Sequence, residues 1–599
     1  MKGIHGIGTV MGVLGAAFAA LATPQPARAC GGLFCNSSQS QAVNQAAERI
    51  IFSDNADGTV TAVVEIQYEG LAERFAWLLP MPGVPEVEVS STQVFDQLQA
   101  ATAPTYTLQT QVEGTCADTA LARGGTAGAF AAPTSADGAF QNGADDSAPP
   151  VTVLVEDQVG PYDYTVISVM EGLDDSAEVA VDWLGENGYD VTDLGPEVLR
   201  PYLDDGLNLL AFKLTKGNVT GAIRPVRLTY EAELPSIPIR PTAVAANDDM
   251  GVMVFQVSEG RAIPTNYKAL ELNEALIDWF NPTGNYGEVI NLAADEAGGQ
   301  GFVTEFAGGT AFLQDRIFPN RQRQQWNDFQ SGFSTDGLSF LREAFNLYGT
   351  WDGFDQALQA GVTPNDPDLI ETALNCASCP STMEITVDQA ALVEGLFEHV
   401  IQPVLATHEL LVSRPTLTRL YTTMSADEMT VDPVFDDNPE LEDVDNQHTA
   451  TQFIECNPEV VRSEAPWRIE LPQGDVVRGA GSSRVWPVAM DEQPANSRIL
   501  QLVTSGQGEV VEDNRAMITE ALIEQAADFS VDAVDGVGDG TRPSSSGPGA
   551  AGGGASDDGG EDGSAGGLCS AAPGMGAGGA LPYLALSTAL LWARRRRRA

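Results

Sequence analysis

The sequence predicts an α+β fold: a mixed-strand N-terminal region, then a more helical region, stapled by disulfides and followed by a disordered Gly/Ser linker and a C-terminal membrane segment. Three observations predict it. Short runs rich in β-branched and aromatic residues alternate with amphipathic stretches up to about residue 330. Beyond that point apolar residues recur at helical spacing. The body between the two ends of the chain carries six cysteines, an even number.

The elements follow in order. Residues 1–29 read as a signal peptide, with Lys2 as a basic n-region, an apolar stretch Val10–Ala22 and a small-residue cleavage site Ala27-Arg28-Ala29. Residues 30–330 read as the α+β domain. Strands are expected at Val60–Tyr68, Phe75–Pro80, Val151–Glu156, Tyr162–Val169, Asn208–Leu214, Val226–Tyr230 and Met253–Val257. Helices are expected at Val94–Ala101, Ser176–Asn187, Val198–Leu203 and Leu270–Trp279. Residues 117–150 are rich in Ala, Gly, Asp and Pro and read as an exposed loop.

Residues 331–530 form the helix-rich region. Its clearest helix is Val387–Ile401, with Leu392, Leu396, Val400 and their neighbours on one face. Thr386 and Gln389 fit a capping box, and Pro403 ends or kinks the helix. Residues 408–460 read as irregular and acidic, Val485–Val511 as strands and Ala516–Ala526 as a last helix. Residues 531–568 are the low-complexity linker. Residues 569–599 form a sorting or transmembrane tail: Cys569, an apolar stretch Ala580–Ala593, then Arg594, Arg595, Arg596, Arg597 and Arg598.

Charge excludes one class of function. Without Lys2, Arg28 and the five tail arginines, 24 basic residues face 83 acidic ones, a formal charge of −59. Such a surface repels phosphate backbones, which argues against nucleic acid as a partner. In an exported chain the six body cysteines, Cys30, Cys35, Cys116, Cys376, Cys379 and Cys456, are disulfide candidates. Sequence-local pairs Cys30–Cys35 and Cys376–Cys379 leave Cys116 for Cys456, among 15 possible pairings of six cysteines.

Catalytic templates fail in turn. Beyond the signal segment the histidines are His399, His408 and His448, and His408-Glu409 lacks the second histidine of a metalloprotease motif because position 412 is Val412. Gly481-Ser482-Ser483-Arg484 does not make a nucleophile elbow, and Lys216-Gly217 reverses the order a phosphate loop needs. Cys376-Ala-Ser-Cys379 could cycle between thiol and disulfide, but no strand–CxxC–helix unit surrounds it, so a structural disulfide is the simpler reading. The run Asp432, Asp436, Asp437, Asn438, Glu440, Glu442, Asp443, Asp445 lacks the order and the glycine of an EF-hand, and reads as a solvated acidic loop with calcium coordination as the alternative. No catalytic residue, metal ligand or cofactor is assigned.

Several segments resemble the exported bacterial proteins grouped as domain of unknown function 2330. These are CGGLFC (Cys30–Cys35), FAWLLPMPGVPEVEV (Phe75–Val89), GPYDYTVISV (Gly160–Val169), WLGENGYDV (Trp183–Val191) and FVTEFAG (Phe302–Gly308), with LTRLYTTMSADEMTVDPVFDDNP (Leu417–Pro439) as a companion motif. The resemblance implies export and a common fold, and no established activity. The tail resembles the myxobacterial C-terminal sorting signal. That implies cleavage by a membrane-embedded sorting protease, with Cys569 retained, after a signal peptidase has removed the front end. The expected protein is a non-catalytic, surface-displayed envelope protein, anchored or sorted through its tail. The alternatives are an exported hydrolase or thiol-disulfide catalyst, and a calcium-dependent adhesin.

Overall fold

The computed structural model describes residues 44–69, 76–117, 151–170, 172–189, 195–214, 224–244, 246–375, 385–482, 484–527 and 529. Within them the fold is α+β, organised around one mixed ten-stranded sheet. From edge to edge its strands are β22 (Glu509–Asp513), β21 (Asn496–Gln501), β12 (Lys268–Leu272), β13 (Gly301–Gly309), β16 (Thr416–Met424), β10 (Ala246–Ser258), β1 (Asn44–Asp54), β2 (Thr59–Glu69), β9 (Val226–Glu231) and β4 (Glu86–Val89). β1 runs parallel to β10 and β12 parallel to β13, while the other neighbours are antiparallel. A division of the chain at residue 330/331 runs through this sheet, since β16, β21 and β22 come from beyond it.

Side-chain alternation along these strands gives the sheet two buried faces. Ile50 and Phe52 of β1 and Val252 and Val254 of β10 point to one face. There they meet a second sheet of order β3 (Ala76–Met81), β8 (Asn208–Leu214), β7 (Tyr162–Val169), β6 (Val151–Val159). Trp77 of β3 stacks on Phe212 of β8 at 5.3 Å, and Tyr162 of β7 meets the same ring edge-on at 5.6 Å. The far side of the second sheet is covered by α2 (Ser176–Glu186) and α3 (Gly195–Asp204), through Ala180, Leu184 and Leu199.

The opposite face of the large sheet carries Ile51, Val63 and Phe255. It packs on α1 (Thr92–Thr102) and on residues of α5 (Asn320–Ser331), α6 (Gly337–Tyr348), α7 (Phe354–Gly361), α8 (Pro367–Asn375), α9 (Gln389–Leu396) and α10 (Gln402–Leu411). Each fully buried Leu or Phe here contributes about 1.5–3 kcal/mol by leaving water. Beside β12 and β21 a third sheet of order β20 (Val476–Ala480), β19 (Pro466–Glu470), β18 (Gln447–Glu455), β5 (Thr105–Glu113) closes another core with α4 (Tyr286–Glu296) and α11 (Arg515–Ala527). Two short pairs complete the fold: β11 (Arg261–Pro264) with β17 (Phe435–Asn438), and β14 (Val362–Thr363) with β15 (Thr386–Val387).

Several sequence expectations need correction. Leu270–Trp279 is not a helix: its first residues form β12 between β13 and β21, and turns follow from Asn273. The pull of two neighbouring strands overrides the helical propensity of Leu and Ala here. Residues 408–460 are not irregular, since they hold the end of α10 and all of β16, β17 and β18. The stretch Val485–Val511 holds only β21 and the first part of β22.

The long helix is capped by Asp388, whose side chain accepts from the N–H groups of Ala390 and Ala391. The predicted box partner Gln389 instead donates to Ser334 O at 2.7 Å. The helix does not stop at Ile401. A π turn, Phe397–Ile401, absorbs Pro403, and α10 continues to Leu411.

Candidate functional site

Buried charge is the best guide to function in a fold whose cores are otherwise apolar. On the helix-covered face of the large sheet, the β1–β2 register sets Arg49 directly opposite Glu65. Their side chains are 8% and 4% exposed and ion-paired. Burial pushes the Glu65 carboxyl above its usual range, and Arg49 opposes that push. Arg49 also donates to Asp96 at 3.0 Å and to Gln99 at 2.8 Å, both on α1.

Arg419 of β16 continues the chain of charges. It donates to Gln99 O at 3.1 Å, and its Nε lies 2.5 Å from Glu305 Oε2. Glu305 is the extra residue of a β-bulge between Thr304 and Phe306 in β13. A bulge re-aims a side chain, and this one points a carboxylate at Arg419. Both partners are at most 5% exposed.

The Tyr286 hydroxyl, at the start of α4, donates to Glu305 Oε1 at 2.5 Å. Tyr106 of β5 lies 5.8 Å from the Tyr286 ring, meets Trp279 edge-on at 5.2 Å and stacks on His448 at 4.6 Å. Tyr106 and His448 face each other in the β5–β18 register. Burial and the carboxylates of Glu274 and Glu305 hold the Tyr106 phenol well above its ordinary range.

The chain ends at His448, whose Nδ1 is 2.6 Å from Glu274 Oε1. Glu274 Oε2 is buried and has no hydrogen-bond partner among the described residues. The Trp279 indole holds the Glu274 carbonyl at 3.0 Å, which fixes the turn that carries the carboxylate. Such a carboxylate orients an imidazole and selects its tautomer. Glu274 therefore holds the His448 imidazole from its Nδ1 side.

The other two histidines are elsewhere. His399 lies in the π turn and His408 in α10, and burial lowers the pKa of each. A cavity of about 370 Å³ lies apart from the polar chain, between the β19–β20 hairpin and α11, with Arg468, Arg478, Asp475 and Thr519 in its wall. Arg468 is already held by Glu113, Glu455 and Glu470.

The predicted site residues fall into two groups. Cys116 and Cys456 are joined by a disulfide across 340 residues, with Cα atoms 4.7 Å apart. Gly114, at φ 81°, turns β5 onto it, and a Cβ there would meet the Cys456 carbonyl oxygen at 2.2 Å. Cys30, Cys35, Cys376, Cys379, Cys569 and Arg594 to Arg598 lie outside the described residues.

The acidic run divides: Glu440, Glu442, Asp443 and Asp445 are exposed, as a solvated loop requires, while Asp432 and Asp437 are engaged. Asp432 accepts from Tyr202 Oη at 2.9 Å and from the N–H groups of Ile239 and Arg240, and Asp437 accepts from Gly260 N–H at 2.6 Å. These carboxylates fasten loops. Among the described residues no three His, Cys, Asp or Glu side chains converge as metal ligands, and no helix is long and apolar enough to cross a membrane.

Sequence reasoning missed Arg49, Glu65, Glu274, Glu305 and Arg419. For two of them a signal was present: Glu305 stands inside FVTEFAG and Arg419 inside LTRLYTTM, each the single charge of its motif.

Residues 24–317 match the model of a family described as an uncharacterized protein conserved in bacteria, domain of unknown function 2330. No curated protein and no solved structure matches the chain.

Proposed function

We propose that this chain is an exported bacterial envelope protein whose body does non-catalytic binding or structural work outside the reducing cytoplasm. The observation that carries this reading is the Cys116–Cys456 cross-link. Disulfides persist in oxidising compartments and are rare in the cytosol. The signal-like front end and the arginine-tipped tail support the same location. A signal peptidase and a sorting protease acting near Cys569 are the processing partners in this reading, and the tail is its membrane contact.

Fractionation of producing cells, with and without external protease, tests it. Protease-accessible chain in the envelope, with Cys116 and Cys456 oxidised, is the expected result. A full-length, reduced chain in the cytoplasm would sink it. One observation favours a second reading, an exported enzyme: the carboxylate-held imidazole of His448. Loss of a turnover activity in His448→Gln with unchanged melting would favour that alternative.

A further inference from the structure

α11 closes the third core with Ile518 and Leu522, yet it leaves a second line of side chains uncovered. Thr519, Leu522, Ile523 and Ala526 follow one another at helical spacing and face the β19–β20 hairpin across the cavity of about 370 Å³. Ile523 is 66% exposed there, and Val476 of β20 supplies the apolar wall on the hairpin side.

The walls are fastened at three points. Gln525 clamps α11 to β20, donating to Arg478 O at 2.6 Å and accepting from Arg478 N at 3.4 Å. Thr519 donates to Asp475 Oδ1 at 3.0 Å, which ties the hairpin turn to the helix. Glu455 holds Arg478 Nη1 at 3.2 Å. A void between elements held in this way is a preformed site.

Two groups in the wall keep free capacity. Arg478 Nε and Nη2 and Asp475 Oδ2 have no hydrogen-bond partner among the described residues, and they are open to solvent. Arg468 has none to spare, because Glu113, Glu455 and Glu470 engage all its side-chain nitrogens.

We propose that this cavity binds a free aliphatic α-amino acid. The planar edge of a guanidinium matches a carboxylate, so Arg478 takes the α-carboxylate. Asp475 Oδ2 takes the α-ammonium, and Val476, Leu522 and Ile523 receive the side chain. Charge selects the zwitterion. Around the cavity the carboxylates of Glu113, Glu455, Glu470 and Asp475 outnumber two guanidiniums in a body that is acidic throughout, so a plain carboxylate is repelled. A plain amine meets the Arg478 charge. An amino acid offers one charge to each partner and is neutral as a whole. The volume lies near the lower end of ordinary ligand sites, which fits one residue and not a long peptide. The inference stands apart from the question of export, because the cavity is the same in either compartment.

The test is calorimetric titration of the full chain, held in lipid nanodiscs, with L-leucine. One leucine should bind per chain and raise the melting temperature. 4-Methylpentanoate and N-acetyl-leucine lack the ammonium, and leucinamide lacks the carboxylate. Each should bind about tenfold more weakly than leucine, the loss expected for one charge-assisted hydrogen bond. Asp475→Asn keeps the oxygen that Thr519 bonds, and it should weaken leucine until 4-methylpentanoate binds equally well. Ile523→Glu, at an exposed position, should weaken leucine without lowering the melting temperature of the unliganded protein. Absence of leucine binding at millimolar concentration overturns the proposal. So does N-acetyl-leucine or leucinamide binding as tightly as leucine, which would assign the cavity to a peptide end. An Asp475→Asn chain that still prefers leucine over 4-methylpentanoate overturns it as well.

Discussion

Arg224 donates from Nη2 to the carbonyl oxygen of His399 at 2.6 Å, an acceptor that Pro403, four residues further on, has no N–H to serve. The same guanidinium donates to Ser90 O at 2.9 Å and to Gln356 at 3.3 Å. Its own carbonyl accepts the Tyr162 hydroxyl at 2.5 Å. One side chain thus ties the family segment to the helical layer. Burial drags its pKa down to about 10, and Asp352 partly offsets that.

Arg224→Met should cost about 3 kcal/mol in urea unfolding, since two buried carbonyls lose their donor. Pro403→Ala restores an N–H four residues from His399, so the loss should shrink by about 1 kcal/mol in that background. Equal losses in both backgrounds would refute the coupling.

Glu305 and Arg419 join two sequence motifs inside the protein. Removing one partner leaves an uncompensated buried charge, which typically costs about 3–5 kcal/mol. Glu305→Leu and Arg419→Met should each fall in that range. The double variant Glu305→Leu with Arg419→Met should cost less than the sum, because no charge remains stranded. Tyr286→Phe should cost about 1 kcal/mol through its lost hydrogen bond. Additive single and double losses would show that the pair does not act as a unit.

Buried strands were legible in the sequence: β2 and β7 lie where their β-branched and aromatic residues predicted them, and β8 where its short apolar run did. β12 was not, because Lys-Ala-Leu-Glu-Leu suits a helix until two neighbouring strands claim it. β16 was hidden for a related reason. Its Arg419 and five threonine or tyrosine side chains look polar in one dimension, yet most are buried, divided between the two covered faces of the sheet. The polar chain was the least legible part. It draws on β1, β2, β5, β13, β16 and β18, and its partners stand up to hundreds of residues apart. No local spacing encodes a contact such as Glu274 with His448.

The Cys116–Cys456 cross-link pins the end of β5 to the end of β18. Closing so long a loop restricts the unfolded chain, and loss of such a bond typically costs about 2–5 kcal/mol. Cys116→Ser, Cys456→Ser and the double variant should be destabilised alike, because each removes the same bond. Added reductant should lower the melting temperature of the wild type but not of the variants. A reductant effect equal in wild type and variants would assign the sensitivity to other cysteines.

Stability should peak at mildly acidic pH. Burial lifts the carboxyls of Glu65, Asp432, Asp295 and Glu428, and for the last two the neighbouring charges of Asp249 and Asp427 add to it. The folded state therefore holds these protons more tightly than the unfolded chain. Stability falls as pH rises from the unfolded value near 4 through the raised folded values. Hydrogen bonds act in the opposite direction at Asp513, depressed to about 2 by Arg515, and at Asp57, Asp336, Glu113 and Glu178. Their contribution is lost as pH falls below about 4. Melting temperature should thus rise from pH 7 toward pH 5 and drop below about 4. Asp295→Asn relieves the repulsion among Asp249, Asp427 and Glu428, so it should raise melting at pH 7, less so in high salt and not at all near pH 4. A melting curve that climbs steadily from pH 5 to 7, with Asp295→Asn neutral throughout, would contradict this assignment.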